Sequence, residues 1–221
     1  MMLMGLSPKG KAHLRRKMEK RIAEIDRKTN ETEISIKLNI DGTEERKIKT
    51  GIGLLDHMLD LFAYWGHFDL EAIVNWGDFN IDIHHTNEDL GIVLGQVFKK
   101  ALGEKVGINR IGSASVPMEE VTATVTVDIS GRGSFKLSKP PSVYPVAEDD
   151  KEGYAMKDAE HFFESFAKHL GMNLNIKVDL FSQDLHTNLE PIFKGLGIAL
   201  DQATQIDPRR KGIPSTKGVI D

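Results

Sequence analysis

The feature that most constrains the fold is a succession of predicted elements that occurs twice along the chain. Residues 83–89 read IHHTNED and residues 184–190 read DLHTNLE. In each half, two strands, a helix and a third strand precede this motif, and a final helix follows it. Residues 31–103 therefore match residues 119–204 as two copies of one unit. Two such units predict an arrangement with sheets outside and helices between them.

Alternation of hydrophobic and polar residues marks the central strand of each half. In ETEISIKLNIDG, residues 31–42, every second residue from 34 to 40 is hydrophobic, and VTATVTVDI at 121–129 alternates in the same way. The segments that follow, TEERKIKT and SFKL, predict return strands that pair with these two as hairpins. A further strand is predicted in each half, FDLEAIVN in the first and NLNIKVDL in the second.

Four segments have the hydrophobic periodicity of amphipathic helices. Asn87 is predicted to cap the second of them, and Pro191 to occupy a first-turn position of the fourth. The predicted helices are 53–66, 87–103, 157–171 and 190–204.

The composition excludes several classes of protein. The 221 residues suit one large domain or two small ones, and they include no cysteine, so disulfides, zinc–thiolate sites and thiol nucleophiles are excluded. A formal net charge of −4 gives no overall attraction to nucleic acid or to acidic membranes. No hydrophobic run approaches the roughly 20 residues of a membrane span. We therefore expect no nucleic-acid partner and no membrane association.

We expect one compact unit made of three segments. Residues 1–22 begin MMLMGLSPKGKAHLRRKMEKR and are basic, without the h-region and cleavage site of a signal peptide. They predict an N-terminal extension or helix on a cytoplasmic protein. Residues 23–106 form the first half, and residues 107–221 form the second half with a phosphate-binding tail at its end.

Histidine and glutamate recur at one spacing near the start of each final helix. His84 and Glu88 are four residues apart, as are His186 and Glu190, so each pair lies on neighbouring faces of a helix. Imidazole nitrogen together with carboxylate oxygen suits Mn, Zn, Fe or Ni. His85 follows His84 directly and can serve a second ion or a substrate. The alternative is that all of these are surface or capping residues.

Three other histidines carry a weaker signal. His57 lies among hydrophobic neighbours in LLDHML, where a core histidine is the more common interpretation, although Asp56 beside it could orient a ligand ring. His161 and His169 lie on an amphipathic helix and are interpreted as structural or exposed. None of the three is assigned to a site by its spacing.

Basic and hydroxyl-bearing residues near glycines suggest an anionic ligand. Arg110 precedes IGSAS, Arg132 lies in the SGRG turn, and RRKGIPSTKG contains Ser215 and Lys217. Loops of this kind suit a phosphate. The alternative is a solvated basic tail.

Several stretches resemble motifs of the imidazoleglycerol-phosphate dehydratase family: TGIGLLDHMLD, IHHTNED, INRIGSASVPMEE, DISGR, EHFF, FKGLGIAL and DPRRKGIPSTKGV. The likeness covers residues 21–219. It implies an α+β fold formed by internal duplication of two halves like the second domain of ribosomal protein S5, with two four-stranded sheets enclosing a helical bundle. It also implies a hydro-lyase of histidine biosynthesis, assembled as a homo-oligomeric 24-mer with two Mn²⁺ ions per subunit at sites between subunits.

The same resemblance implies a set of site residues. The catalytic carboxylates would be Glu31, Glu88 and Glu190, with Glu31 as the general acid/base. The metal ligands would be His57, His84, His85, Glu88, His186 and Glu190. The phosphate-binding residues would be Arg110, Arg132, Lys194, Ser215 and Lys217.

The implied reaction is dehydration of imidazoleglycerol phosphate to imidazoleacetol phosphate. It removes a proton that no adjacent carbonyl acidifies, so simple enolisation is not available. The metal ions would act as Lewis acids and as a template. Glu31 would transfer the proton, and the phosphate-binding residues would position the substrate.

The chain departs from the family pattern at four notable positions. Asn175 and Thr187 stand where the pattern has histidine ligands, which allows for fewer than two bound ions. Leu61 and Trp65 replace a substrate-contacting glutamine and a histidine, and make the pocket more apolar. Three alternatives therefore stay open: a working dehydratase, a paralogue acting on another phosphorylated compound or imidazole-like ring, and a non-catalytic protein that binds a phosphorylated ligand.

Overall fold

A computed structural model describes residues 20–140 and 153–220, and these form eight strands and four helices. The first half comprises β1 (Ile22–Lys28), β2 (Glu33–Asn39), β3 (Arg46–Lys49), α1 (Gly53–Trp65), β4 (Asp69–Trp76) and α2 (His84–Leu102). The second half comprises β5 (Ile111–Met118), β6 (Val121–Asp128), β7 (Ser134–Ser138), α3 (Met156–Leu170), β8 (Asn173–Val178) and α4 (Leu185–Thr204). Of the basic segment predicted at 1–22, residues 1–19 lie outside the described residues, and Ile22 already belongs to β1.

Each half forms a four-stranded sheet with the same strand order. The first sheet has the order β1-β2-β4-β3, and the second has the order β5-β6-β8-β7. In both sheets the first two pairs of neighbours are antiparallel and the last pair is parallel. The shared order confirms the predicted internal duplication, the α+β class and the two four-stranded sheets.

The predicted hairpins between β2 and β3 and between β6 and β7 are wrong. β3 pairs with β4, and β7 pairs with β8, in both cases in parallel. The strand β2 is already paired on both sides, by β1 and by β4, so it has no free edge for β3. β3, α1 and β4 instead form a parallel strand–helix–strand unit, as do β7, α3 and β8.

Hydrophobic alternation does not predict the first strand of each half. β1 and β5 are edge strands, and each buries only one residue fully, Ala23 in the first and Gly112 in the second. β5 also contains Pro117, a residue that strands tolerate at a sheet edge. The repeated unit therefore begins one strand earlier than residues 31 and 119.

The two halves share one hydrophobic core. Every second residue of β2 and β6 is hydrophobic and buried, as their alternation predicts. α2 of the first half packs on α3 of the second, and α1 packs on α4. Phe62, Phe98 and Phe166 meet there, with ring centroids 5.6 to 6.1 Å apart. Burial of each such ring contributes about 1.5–3 kcal/mol, so the helix contacts also hold the halves together.

Two equivalent glycines bring the helix pairs into close contact. A Cβ atom at Gly197 of α4 would lie 2.4 Å from the carbonyl oxygen of Phe62 in α1. A Cβ atom at Gly95 of α2 would lie 2.8 Å from the carbonyl oxygen of Phe166 in α3. Because a side chain cannot approach a backbone oxygen so closely, only glycine fits at this helix separation. Each contact fixes the position of one helix relative to the other, and with it the residues near their N-terminal ends.

Candidate functional site

Three predicted ligands converge between α1 and α4. These residues, His57, His186 and Glu190, form the α1/α4 cluster. Nε2 of His186 lies 2.7 Å from Oε2 of Glu190, and Nε2 of His57 lies 3.8 Å from the same oxygen. The two rings stack with centroids 5.0 Å apart. One donor atom of each residue lies within 4.8 Å of the others, so small side-chain rotations would let a single metal ion contact all three at bond lengths of about 2.0–2.2 Å.

A related group lies between α2 and α3, but among the described residues only the α1/α4 cluster has all three donor atoms within 4.8 Å of one another. The residues of this second group, His84, Glu88 and His161, form the α2/α3 cluster. Nε2 of His84 lies 3.8 Å from Oε2 of Glu88. Its other nitrogen, Nδ1, lies 3.1 Å from Nδ1 of His161, with ring centroids 4.7 Å apart. His84 and Glu88 were expected at a site, whereas His161 is a site candidate that its spacing in the sequence does not reveal.

The duplication offers a signal for His161 that spacing alone does not. Asp56-His57 on α1 and Glu160-His161 on α3 are both acid–histidine pairs followed by two large hydrophobic residues. Each places its histidine beside the helix that carries the His-x-x-x-Glu pair. The acidic neighbour does not orient the ring, because Asp56 accepts hydrogen bonds from the N–H and hydroxyl of Thr50 instead. The predicted orienting role of Asp56 is therefore wrong.

The helices that carry the His-x-x-x-Glu pairs begin earlier than predicted. α2 begins at His84 and α4 at Leu185. In each copy an aspartate accepts a hydrogen bond from the histidine N–H two residues later, Asp82 for His84 at 3.1 Å and Asp184 for His186 at 3.3 Å. The repeated signature is thus Asp-x-His-x-x-x-Glu. When the copies are aligned on this signature, His84 corresponds to His186. The sequence His-Thr-Asn therefore begins one residue later in the first copy, at His85, than in the second, at His186.

The earlier helix starts also change two predicted terminal residues. Asn87 is not the cap of α2 but is buried in its first turn. Its amide donates to the carbonyl oxygen of Asp158 at 2.7 Å and accepts from the hydroxyl of Tyr154 at 3.1 Å, which ties α2 to the region of α3. Pro191 lies inside α4 rather than in its first turn. Its missing N–H leaves one helical hydrogen bond unmade.

His85 turns toward the loop before α2. Its Nδ1 lies 3.3 Å from Oδ2 of Asp78, a residue that the sequence did not suggest for the site. This hydrogen bond, followed by the negative charge of Glu31, raises the pKa of His85 above its ordinary value. Glu31, the predicted general acid/base, is exposed in the turn between β1 and β2. His85 and Glu31 are therefore close enough for their charges to interact.

Thr187 takes the place of His85 in the second copy of the signature. It is only 3% exposed, and its hydroxyl donates to Oδ2 of Asp184 at 3.2 Å. Thr187 therefore supports the start of α4, and its hydroxyl is directed to a capping residue rather than to the α1/α4 cluster.

Asn175 lies on the outer face of the second sheet. It is exposed in β8, while Leu174 and Ile176 on either side of it are buried. Because side chains alternate along a strand, that of Asn175 points away from the helices and from both clusters. Within one chain, neither Asn175 nor Thr187 thus removes a donor from either cluster.

The α1/α4 cluster continues along two facing stripes. Each stripe repeats every four residues, His57–Leu61–Trp65 on α1 and His186–Glu190–Lys194 on α4. The Lys194 ammonium forms an ion pair with Glu190 and lies 5.9 Å from the centroid of the Trp65 ring. Burial alone would raise the pKa of Glu190, but hydrogen bonds from Lys194 and His186 and their charges lower it below its ordinary value. Glu190 is therefore held as a carboxylate, the form that binds a cation.

Three of the predicted phosphate-binding residues meet at one end of the second sheet. Arg110 forms a bidentate ion pair with Asp128, at 2.6 and 3.0 Å, and donates to the carbonyl oxygen of Pro214 at 3.0 Å. Ser215 follows directly, and its hydroxyl oxygen accepts from the N–H of Lys217 at 3.2 Å. Arg110 thus joins the C-terminal segment to the sheet.

Of the other two phosphate-binding candidates, Arg132 lies near Arg110 and Lys194 lies far from it. Arg132 is near Arg110, because the N–H of Ile129 just before its turn donates to the carbonyl oxygen of Arg110 at 3.0 Å. Lys194 is far from Arg110 along α4. The N–H of Arg110 donates to the carbonyl oxygen of Ala203, near the C-terminal end of this helix. At 1.5 Å per residue, Ala203 lies about 14 Å along the helix from Lys194. Within one chain the five residues therefore form two groups.

The arrangement supports one kind of chemistry better than others. Two related sets of imidazole and carboxylate donors suit divalent metal ions. Separate basic residues suit a phosphorylated ligand, and an exposed carboxylate stands near one set of donors. Together they fit a metal-assisted proton transfer on a small phosphorylated molecule.

Comparisons with known proteins point to the same chemistry. A sequence model described as imidazoleglycerol-phosphate dehydratase matches residues 50–200. The chain is 49% identical over 200 residues to the imidazoleglycerol-phosphate dehydratase of Pelobacter propionicus, covering 90% of this chain and 99% of that relative. It is 48% identical over 201 residues to that of Trichlorobacter lovleyi, covering 91% of this chain and 100% of that relative.

Two solved structures have a similar fold. One is the imidazoleglycerol-phosphate dehydratase of Staphylococcus aureus, with a TM-score of 0.71 and 30% identity over 84% of this chain and 99% of that one. The other is the enzyme of Pyrococcus furiosus in complex with (S)-C348, with a TM-score of 0.72 and 32% identity over 88% of this chain and 99% of that one.

Proposed function

The chain belongs to the imidazoleglycerol-phosphate dehydratase family, and we infer its activity from that membership. It is a hydro-lyase of histidine biosynthesis that dehydrates imidazoleglycerol phosphate to imidazoleacetol phosphate. The observation that carries this conclusion is the 49% identity to a relative of which 99% is covered. A match of that extent includes both copies of the duplicated unit, and with them both clusters.

We propose that the α1/α4 and α2/α3 clusters each hold one Mn²⁺ ion. Each cluster offers two imidazole nitrogens and one carboxylate, and this mixture of donors suits Mn²⁺ and neighbouring divalent metals. Three protein ligands leave coordination positions open for a substrate. The ions would supply Lewis-acid chemistry at the substrate.

The departures from the family pattern are compatible with this proposal. Thr187 and Asn175 take no donor from the two clusters of their own chain. Leu61 and Trp65 line the α1 stripe beside the α1/α4 cluster and make that side of the site apolar, while Trp65 covers Lys194. These placements favour a working dehydratase over the paralogue and over the non-catalytic binding protein.

We propose that further copies of the chain complete the site, in the 24-subunit assembly that the family resemblance implies. Arg110 and Lys194 both belong to the predicted phosphate-binding set, yet they lie well apart in one chain. In one chain Arg110 is paired with Asp128 and Lys194 with Glu190, which favours a phosphate site built from two different copies. Glu31 is exposed at the surface of the chain, where a neighbouring subunit could reach its carboxylate.

The site residues would then have distinct roles. Glu31 would hold and release the proton that moves during dehydration. Glu88 and Glu190 would be the carboxylates of the metal centres, and His85 would be a further ligand at the boundary between copies. The phosphate would be held by the basic and hydroxyl-bearing set, which comprises Arg110, Arg132, Lys194, Ser215 and Lys217.

We propose a cytoplasmic location for the enzyme. Its substrate and product are charged phosphorylated metabolites, and a membrane is a barrier to such groups. Separately, none of the helices in the described part of the chain combines the length and hydrophobicity of a membrane span.

Metal content tests the two-ion proposal and the place of His161 in it. Metal-stripped protein that is reloaded with Mn²⁺ and desalted should retain about two ions per chain, measured by mass spectrometry. His161→Ala should retain about one, because the α2/α3 cluster then lacks a donor. The matched control is His169→Ala on the same helix, whose ring contacts the carbonyl oxygen of Ser165, and it should behave as wild type. Equal metal content in His161→Ala and wild type would remove His161 from the site.

A further inference from the structure

Glu31 occupies a turn whose shape is set by its neighbours. The N–H of Thr29 donates to the carbonyl oxygen of Thr32 at 2.9 Å. The hydroxyl oxygen of Thr29 accepts from the N–H groups of Glu31 and Thr32, both at 3.0 Å. Among the described residues, no hydrogen bond or ion pair holds the Glu31 carboxylate itself. Its position therefore depends on how firmly the turn is held.

A buried aspartate of α2 holds this turn from both sides. Oδ1 of Asp89 accepts from Nε and Nη2 of Arg27 in β1, at 3.1 and 2.8 Å. Oδ2 of Asp89 accepts from the hydroxyl of Thr32, just before β2, at 2.5 Å. Asp89 is 7% exposed and Thr32 is fully buried. Charge-assisted hydrogen bonds of this kind are stronger than neutral ones. We call Arg27, Thr32 and Asp89 together the Asp89 latch.

The latch connects the turn to the end of α2 that carries the metal donors. Asp89 directly follows Glu88 of the α2/α3 cluster in the sequence. His85 lies one helical turn before Asp89 on the same helix. The hydrogen bonds of Asp89 thus fix the turn with Glu31 at its tip relative to His85 and Glu88.

We propose that Asp89 is a positioning residue for the reaction, which acts by holding Glu31 at a fixed place beside the N-terminal end of α2. This inference rests on the proposed role of Glu31 as general acid/base. A proton-transfer group must lie within hydrogen-bond reach of its target, and a displacement of about 1 Å can lower a rate by up to ~10²-fold. Without the latch, the exposed turn would leave Glu31 in a wider range of positions.

The second half of the molecule shows that the fold does not require such a latch. Glu190 corresponds to Glu88 in the repeated signature, so the position equivalent to Asp89 is Pro191, which has no carboxylate. β5 and β6 nevertheless form the same antiparallel pair as β1 and β2. The latch is therefore confined to the half that contains Glu31, which indicates a role at that residue rather than in strand pairing.

A pair of substitutions at Thr32 tests the proposal with the full-length enzyme loaded with Mn²⁺. Thr32→Val removes the hydroxyl and keeps the shape, whereas Thr32→Ser keeps the hydroxyl. We expect Thr32→Val to lower kcat by about 10- to 30-fold, with KM and metal content unchanged, and Thr32→Ser to stay near wild type. Asp89→Asn is the second variant, and it should lower kcat in the same manner as Thr32→Val.

The Glu31→Gln background separates positioning from a general structural effect. If the latch acts through Glu31, adding Thr32→Val to Glu31→Gln should cause no further loss of the residual turnover. Wild-type kcat in Thr32→Val, or an equal loss in both backgrounds, would overturn the proposal. Wild-type kcat in Glu31→Gln alone would instead show that the proposed acid/base role is wrong, and the positioning role with it, so the two failures are distinguishable.

Discussion

Glu31→Gln is expected to lower kcat by about 10³-fold and to leave KM and metal content near wild type. Glutamine has almost the shape of glutamate but cannot accept and return a proton, and general acid–base groups typically contribute ~10²–10⁴-fold. Glu31 is exposed at the tip of a tightly bonded turn, so the substitution should not disturb the core. Steady-state turnover of imidazoleglycerol phosphate, with metal content measured on the same samples, gives both quantities.

Glu33→Gln is the matched control for this substitution. Glu33 lies two residues away in β2, pairs with Lys28 across the hairpin and is outside the predicted site. It should keep wild-type kcat. If Glu31→Gln also retains wild-type kcat, Glu31 is not the acid/base and another carboxylate must transfer the proton.

His186→Ala is expected to empty the α1/α4 cluster and to lower kcat by at least ~100-fold. The substitution removes one of three donors, and the remaining carboxylate of Glu190 stays paired with Lys194, whose ammonium then competes with a metal ion for it. Because the other donor, His57, stands 3.8 Å from Glu190 on a separate helix, two donors alone should hold Mn²⁺ poorly. Metal content should fall by about one ion per chain, measured together with turnover.

His67→Ala serves as the control for His186→Ala. His67 is exposed, and its Nδ1 lies 2.8 Å from Glu44, outside both clusters. Its removal should leave kcat and metal content unchanged. A His186→Ala enzyme with full metal content and full activity would mean that the α1/α4 cluster is not a metal site of this enzyme.

The parts of the fold that the sequence predicts well are those where local pattern and burial agree. β2 and β6 alternate because one face of each is covered by helices. β1 and β5 were missed because an edge strand covered on one side needs few hydrophobic residues, and only Ala23 and Gly112 are fully buried. The pairing of β3 and β7 was missed because it depends on which strand has a free edge, which is a property of the whole sheet.

The site could be predicted only as far as its residues repeat at short spacing. His84 with Glu88 and His186 with Glu190 share a helix, so their spacing alone brings them together. His161 meets His84 from a different helix, and a single histidine on an amphipathic helix carries no such signal. Only superposition of the two halves, with His161 matched to His57, would have pointed to it.

The hydrogen bonds at the helix starts align the two copies more reliably than their shared His-Thr-Asn sequence does. His-Thr-Asn occurs in both halves, yet Asp82 with His84 and Asp184 with His186 show that the copies align one residue away from those letters. In this alignment Thr187 corresponds to His85, and its hydroxyl donates to Asp184, the residue that caps α4. Thr187, one of the four departures from the family pattern, thus lies outside the three donors of the α1/α4 cluster.

The central claim is that this chain dehydrates imidazoleglycerol phosphate with metal ions held by its two His/Glu clusters. The most direct measurement is the formation of imidazoleacetol phosphate by chelator-treated enzyme while Mn²⁺ is added back. We predict no product without metal, and turnover that rises with added Mn²⁺ and reaches its maximum at about two bound ions per chain. Equal turnover with and without metal, or no product when two ions are bound, would contradict the claim.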